Sequence, residues 1–102
     1  MKIKNKNLSK DIEILIDTFL MSENSLEVSA FLQDLLTERE IKEFANRWKV
    51  ARMLSDKISY QKIEDETGMS STTIARISKW LQNGAGGYKI MLEKIKNLDR
   101  HK

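Results

Sequence analysis

Apolar positions from Leu8 to Met21 recur at steps of three and four: Leu8, Ile12, Leu15, Ile16, Phe19 and Leu20, joined by Ile14 and Met21. That period predicts a helix with a wide apolar face. Ser22-Glu23-Asn24-Ser25 then reads as a turn, with Ser25 as N-cap of a second helix running to about Leu36. Thr37-Glu38-Arg39-Glu40 has the form of a capping box and opens a long third helix over Glu38–Ser55. Its apolar face carries Phe44, Trp48 and Ala51, and its other face Lys42, Arg47, Lys49 and Arg52. Asp56–Ser59 closes it. Two short helices follow over Tyr60–Thr67 and Ser71–Asn83, separated by Gly68-Met69-Ser70. The glycine-rich Asn83–Gly87 breaks the chain, and a last helix runs from Tyr88 to about Leu98. The expected class is all-α, with six helices.

The segment 59–81 has the pattern of a helix–turn–helix. Ile63 and Thr67 lie one turn apart, Gly68 supplies a turn position that needs positive φ, and Ile74, Ile77 and Leu81 repeat at helical spacing to fill the wedge between the helices. With those side chains inward, Ser71, Thr72, Ala75, Arg76 and Lys79 point outward. Small hydroxylated residues at the start of the second helix allow its end to sit deep in a major groove. Ser70 and Thr73 complete the hydroxyl cluster there. Arg76 can fork onto guanine or phosphate, Lys79 suits a phosphate, and Gln61 and Lys62 are placed to hold the DNA backbone. Glu64 stands at a crowded inner position, and Asp65 and Glu66 put negative charge nearby. A helical interaction module that kept this fold without DNA binding therefore stays open as an alternative.

Composition narrows the chemistry. The chain has 102 residues, enough for one compact domain, with no cysteine, no proline and one histidine. Without cysteine there are no disulfides, thiolate metal sites or thiol nucleophiles. His101 stands next to the last residue, a poor place for a histidine-dependent active site. No enzyme activity, catalytic residue, cofactor or metal site is expected; Glu64, Asp65 and Glu66 diverge around their helix rather than converge on a cation. Methionines 53, 69 and 91 are expected to fill core space.

The net charge is +3, but its distribution is uneven. Residues 1–40 hold five basic and eight acidic side chains, −3; residues 41–102 hold thirteen and seven, +6. The second part is the one expected to face a polyanion. No run approaches the ~18 apolar residues of a membrane span, and MKIKNKN is not followed by a signal-peptide core. A cytoplasmic protein with no membrane partner is expected. The expected organisation is a flexible basic N-terminus over 1–7, one helical domain over 8–98 with the helix–turn–helix at 60–82, and a basic tail over 99–102.

Over Leu35–Leu81 the chain resembles the tryptophan repressor superfamily, and within it the YerC/YecD branch. The matching pieces are Leu35-Leu36-Thr37, Arg47, Ser59 with Gln61-Lys62, Gly68, and Thr73-Ile74 with Arg76. The resemblance implies six helices, two chains interlocked as a homodimer through their N-terminal helices, and paired helix–turn–helix units on a palindromic operator in double-stranded DNA. It also implies a place for an effector. Arg47 and Arg76 match the two arginines that sandwich an indole ligand in these repressors, and Thr37 matches a threonine near it. The position of the serine that holds the ligand's amino group is Trp80, and that of a glycine beside the second arginine is Ile77. Added bulk and a lost polar anchor imply a repressor that does not need L-tryptophan, its pocket filled by its own side chains. A repressor with an amino-acid-like co-repressor is the remaining alternative.

Overall fold

A computed structural model of the chain describes residues 8–99. The expected flexible N-terminus at 1–7 and the tail beyond Asp99 lie outside the described residues. The described chain is helical, with α1 (Lys10–Leu20), α2 (Ser25–Leu35), α3 (Glu38–Ser55), α4 (Tyr60–Thr67), α5 (Ser71–Asn83) and α6 (Gly87–Asp99). No helix among them is long and apolar enough to cross a membrane. Residues 8–44 and 45–99 form two compact units.

In the first unit, Ser9 caps α1 by accepting from the Ile12 amide at 3.3 Å. Asn24, not Ser25, caps α2, its side-chain oxygen accepting from the Glu27 amide at 3.0 Å. Asparagine and serine cap equally well; here Asn24 has the extended backbone a cap needs, which leaves Ser25 inside the first turn. The Thr37 hydroxyl accepts from the Glu40 amide at 3.2 Å, and Glu40 accepts from the Thr37 amide at 2.9 Å, so the capping box forms. The Thr37 amide, and after it the Thr37 hydroxyl, favour the charged carboxylate and hold Glu40 below its usual pKa. Phe19 and Phe31 meet at 5.2 Å with planes tilted by 60°. Neither α1 nor α2 contains a buried residue, and Leu20 and Leu26 are each 79% exposed.

The second unit has a closed core. Val50 and Ala51 of α3, Ile63 of α4, and Ile74 and Ile77 of α5 are all 0% exposed. Trp48, Met53, Leu54, Ile58, Met69 and Tyr88 pack around them. Leu92 brings α6 into the buried set. Of the methionines expected to fill the core, Met53 and Met69 do so, whereas Met91 is 51% exposed on the outer side of α6.

The end of α3 is made by Lys57 at φ 64°. The Ile58 amide reaches back to the Met53 carbonyl and the Lys57 amide to that of Leu54, both at 3.0 Å. This is a Schellman closure with lysine at the left-handed position usually given to glycine. Met53 and Ile58, the two ends of its wider bond, both pack on the core.

Candidate nucleic-acid interface

Two short helices and the turn between them carry most of the candidate side chains. Ser59 caps α4 and Ser70 caps α5 with nearly the same backbone, φ −67° and −69°, ψ 152° and 156°. The Ser59 hydroxyl accepts from the Lys62 amide at 3.3 Å, and that of Ser70 from the Thr73 amide at 3.2 Å. Gly68 ends α4 at φ 72°, where a side chain would be strained. Thr67 secures the turn twice: its hydroxyl donates to the Ile63 carbonyl at 2.7 Å and accepts from the Met69 amide at 3.2 Å. Ile63 beneath it and Ile74 and Ile77 beyond it are fully buried. The burial of Ile74 and Ile77 fixes the rotation of α5 about its axis.

That rotation exposes Ser71, Thr72, Ala75, Arg76 and Lys79; Gln61 and Lys62 are exposed at the start of α4. No ion pair within the described residues engages Arg76 or Lys79. Gln61 donates to Asp65 at 3.1 Å. Ser70 and Thr73 are committed to one another, their hydroxyls 3.1 Å apart at the cap, and Thr73 is half-buried. Glu64 is half-buried while Asp65 and Glu66 are exposed, so α4 presents an acidic end beside a basic beginning. Leu81, expected inside the wedge, is half-buried.

The five candidate effector residues have different surroundings. Ile77 lies wholly inside the core. Arg76 and Trp80 share the exposed side of α5, one turn apart, with Trp80 42% exposed. Thr37 is engaged in the capping box at the start of α3, within the first unit. Arg47 is half-buried, and its charge acts on Tyr88 of α6. Burial pushes the Tyr88 hydroxyl above the usual tyrosine range, and the Arg47 charge opposes that rise. The Tyr88 ring stacks on Trp48 at 6.2 Å with planes 12° apart. Tyr88 was not among the sequence candidates. The available signal was its place directly after the glycine segment, which determines where the start of α6 returns.

The glycine segment has a specific geometry. A Cβ at Gly84 would collide with the Trp80 carbonyl oxygen, to which the Gly84 amide bonds at 2.8 Å. Gly84 leaves α5 in an extended conformation, and the left-handed residue is Gly86, at φ 95°. Lys89 donates to the Gln82 carbonyl at 3.1 Å, tying the first turn of α6 to the last turn of α5.

Residues 10–96 match the Trp repressor protein family. The chain is 36% identical over 95 residues to the uncharacterized protein YerC of Bacillus subtilis (strain 168), covering 93% of this chain and 91% of that one. A solved structure of a candidate Trp repressor from Staphylococcus aureus superposes with TM-score 0.80 at 34% identity, over 87% of this chain and 89% of the other. A TrpR-like protein from Eubacterium eligens gives TM-score 0.83 at 31% identity, over 91% and 96%. The chain belongs to the Trp repressor family, a family of transcription regulators rather than of enzymes.

Proposed function

We propose that this protein is a sequence-specific DNA-binding transcription regulator that acts as a homodimer, with α4 and α5 as a helix–turn–helix and α5 as the reading helix. The observation that carries the reading is the two-sidedness of α5: Ile74 and Ile77 are locked in the core while Ser71, Thr72, Ala75, Arg76 and Lys79 are presented outward. A helix held so firmly by one side can offer the other to base edges at little entropic cost. Lys62, Lys79 and Gln61 supply backbone contacts, which give affinity and register. Arg76, Ser71, Thr72 and Ala75 at the base edges give specificity. The apolar surface of α1 and α2, uncovered within one chain, supports a dimer in which a second copy covers it. A dimer presents two reading helices, and its operator is therefore palindromic. Repression is the expected outcome.

Salt titration of binding to mixed duplex DNA tests this reading. The affinity should fall steeply with salt, each phosphate contact adding ~0.9 to the slope of log K against log salt. Arg76→Ala should relax sequence preference, and Lys62→Ala should weaken all duplexes alike. Parent-like binding by both variants on every duplex would remove α4 and α5 from the interface. A second reading, a helical interaction module, is favoured by the exposed carboxylates Asp65 and Glu66 beside the candidate face; it predicts no salt-dependent DNA binding at all.

L-tryptophan is not required in this reading. The support is Ile77, whose side chain fills core space, and Trp80, whose indole replaces a small polar anchor. Calorimetry should show no L-tryptophan binding; micromolar binding that tightens the DNA complex would overturn this part and favour an amino-acid-like co-repressor.

A further inference from the structure

The stacked pair of Trp48 and Tyr88 joins two helices that are far apart in sequence, and the chain takes special measures to place it. Gly84 is kept without a side chain by the Trp80 carbonyl, and Gly86 takes a left-handed turn. Lys89 then ties α6 back to the end of α5. Together these settle where Tyr88, at the second position of α6, meets α3. Its ring plane is nearly parallel to that of Trp48, in an offset pair with centroids 6.2 Å apart, and it packs on the cluster that holds Ile74 and Ile77. The hydroxyl is half-buried within reach of the Arg47 charge. Since α5 packs against both α4 and α6, a tie between α6 and α3 constrains α5 on the side away from the Gly68 turn.

We propose that Tyr88 is a positioning residue for α5: stacked on Trp48, it anchors α6 to α3 and so holds the helix that carries Arg76 and Lys79 in its reading orientation. The consequence for DNA rests on the function proposed above; the mechanical role does not. A parallel aromatic pair is directional, unlike simple apolar filling, because an offset stack is favoured over other approaches. Phenylalanine keeps that property; leucine and alanine do not.

The test uses the full chain and the variants Tyr88→Ala, Tyr88→Leu, Tyr88→Phe and Met53→Ala. Met53→Ala removes a side chain that packs on the same cluster and keeps both rings of the pair. Two readouts are compared under conditions where each variant is folded: amide hydrogen exchange along α5, and affinity for a duplex selected by the parent protein from a random pool. Tyr88→Ala and Tyr88→Leu should speed exchange in α5 more than in α4 and weaken the duplex by about tenfold, the upper end of what an aromatic pair contributes. Tyr88→Phe should stay within about twofold of the parent in both, since it retains the ring pair. Met53→Ala should raise exchange evenly across α3, α4, α5 and α6 and leave the affinity of the folded protein near that of the parent. Tyr88→Leu preserves apolar bulk and so gives the same discrimination if Tyr88→Ala does not fold. The proposal is overturned if α5 exchange in Tyr88→Leu matches the parent or changes no more than in Met53→Ala, or if Tyr88→Phe fails as badly as Tyr88→Leu. If the parent selects no duplex, the DNA-binding reading fails, and α5 exchange still decides the role of Tyr88.

Discussion

The two units of this chain start their helices in the same way but differ in what those helices bury. Ser9 caps α1 as Ser59 and Ser70 cap α4 and α5, each with its hydroxyl accepting from the amide three residues on. Yet α4 and α5 bury Ile63, Ile74 and Ile77 completely, while α1 and α2 hold only half-buried and exposed residues. Local helix signals are therefore not what separates the units. The difference lies in whether one chain supplies both sides of an apolar contact. Residues 45–99 supply both. Residues 8–44 supply amphipathic helices whose apolar faces are left largely uncovered, the condition expected of a surface that a second copy completes.

The largest effect is expected inside the closed core. Ile74→Ala removes a fully buried side chain and should destabilise by about 3 kcal/mol in urea unfolding, the middle of the range for such truncations. A loss below about 0.5 kcal/mol, the size of a surface change, would mean that this core does not carry the unit.

The next effect tests the open unit. Leu20 is 79% exposed, so Leu20→Ser in a lone chain should change stability by no more than about 0.5 kcal/mol. If a second copy covers α1, the substitution should instead cost about 2 kcal/mol of apolar burial. The loss should appear in sedimentation equilibrium as a dimer that dissociates at higher protein concentration than the parent's. The dimer reading predicts the second outcome.

Smaller effects sharpen the contrast at the helix ends. Ser70→Ala should cost about 1 kcal/mol in thermal unfolding, since α5 loses the acceptor for the Thr73 amide. Lys57→Gly should stabilise by about 0.5 kcal/mol: relief of a left-handed lysine at φ 64° is partly offset by the greater freedom of glycine in the unfolded chain.

The capping box supplies the pH dependence. Glu40 titrates below its usual value of 4.5 in the folded chain, so the unfolded state binds the proton more readily. Its contribution is present above that usual value and is lost as the pH falls through the lowered one. The parent should therefore lose more thermal stability than Glu40→Gln as the pH falls from neutral to below 4.5. Equal losses would mean that the box is not formed in solution.

Much of the architecture was legible because its signals are local. The bounds of α4 and α5 follow from Ser59, Gly68, Ser70 and the glycines after Asn83. The outward set on α5 follows from the spacing of Ile74 and Ile77. Signals that compete with a neighbour were harder to read. Asn24 and Ser25 are adjacent and equally good caps, so composition cannot choose between them. In α6 the run Ile90-Met91-Leu92 offers more apolar residues than one face can bury, and Met91 is the one left outside. The least legible feature was the Trp48–Tyr88 stack, since nothing local in either helix specifies a partner so distant in sequence. Tyr88, whose hydroxyl feels the Arg47 charge, carried no such signal in its own helix, whereas Trp80 was marked by its bulk and is 42% exposed.

In the proposed function, α5 is held by its buried side and reads DNA in pairs. Selection of bound duplexes from a random pool tests it most directly. Paired reading helices should enrich an inverted repeat whose half-sites are centred about one helical turn, ~10 base pairs, or a multiple apart, with enrichment blurred in Arg76→Ala. A pool that stays random after repeated rounds, or enrichment of the same sequence by Arg76→Ala as by the parent, would contradict it.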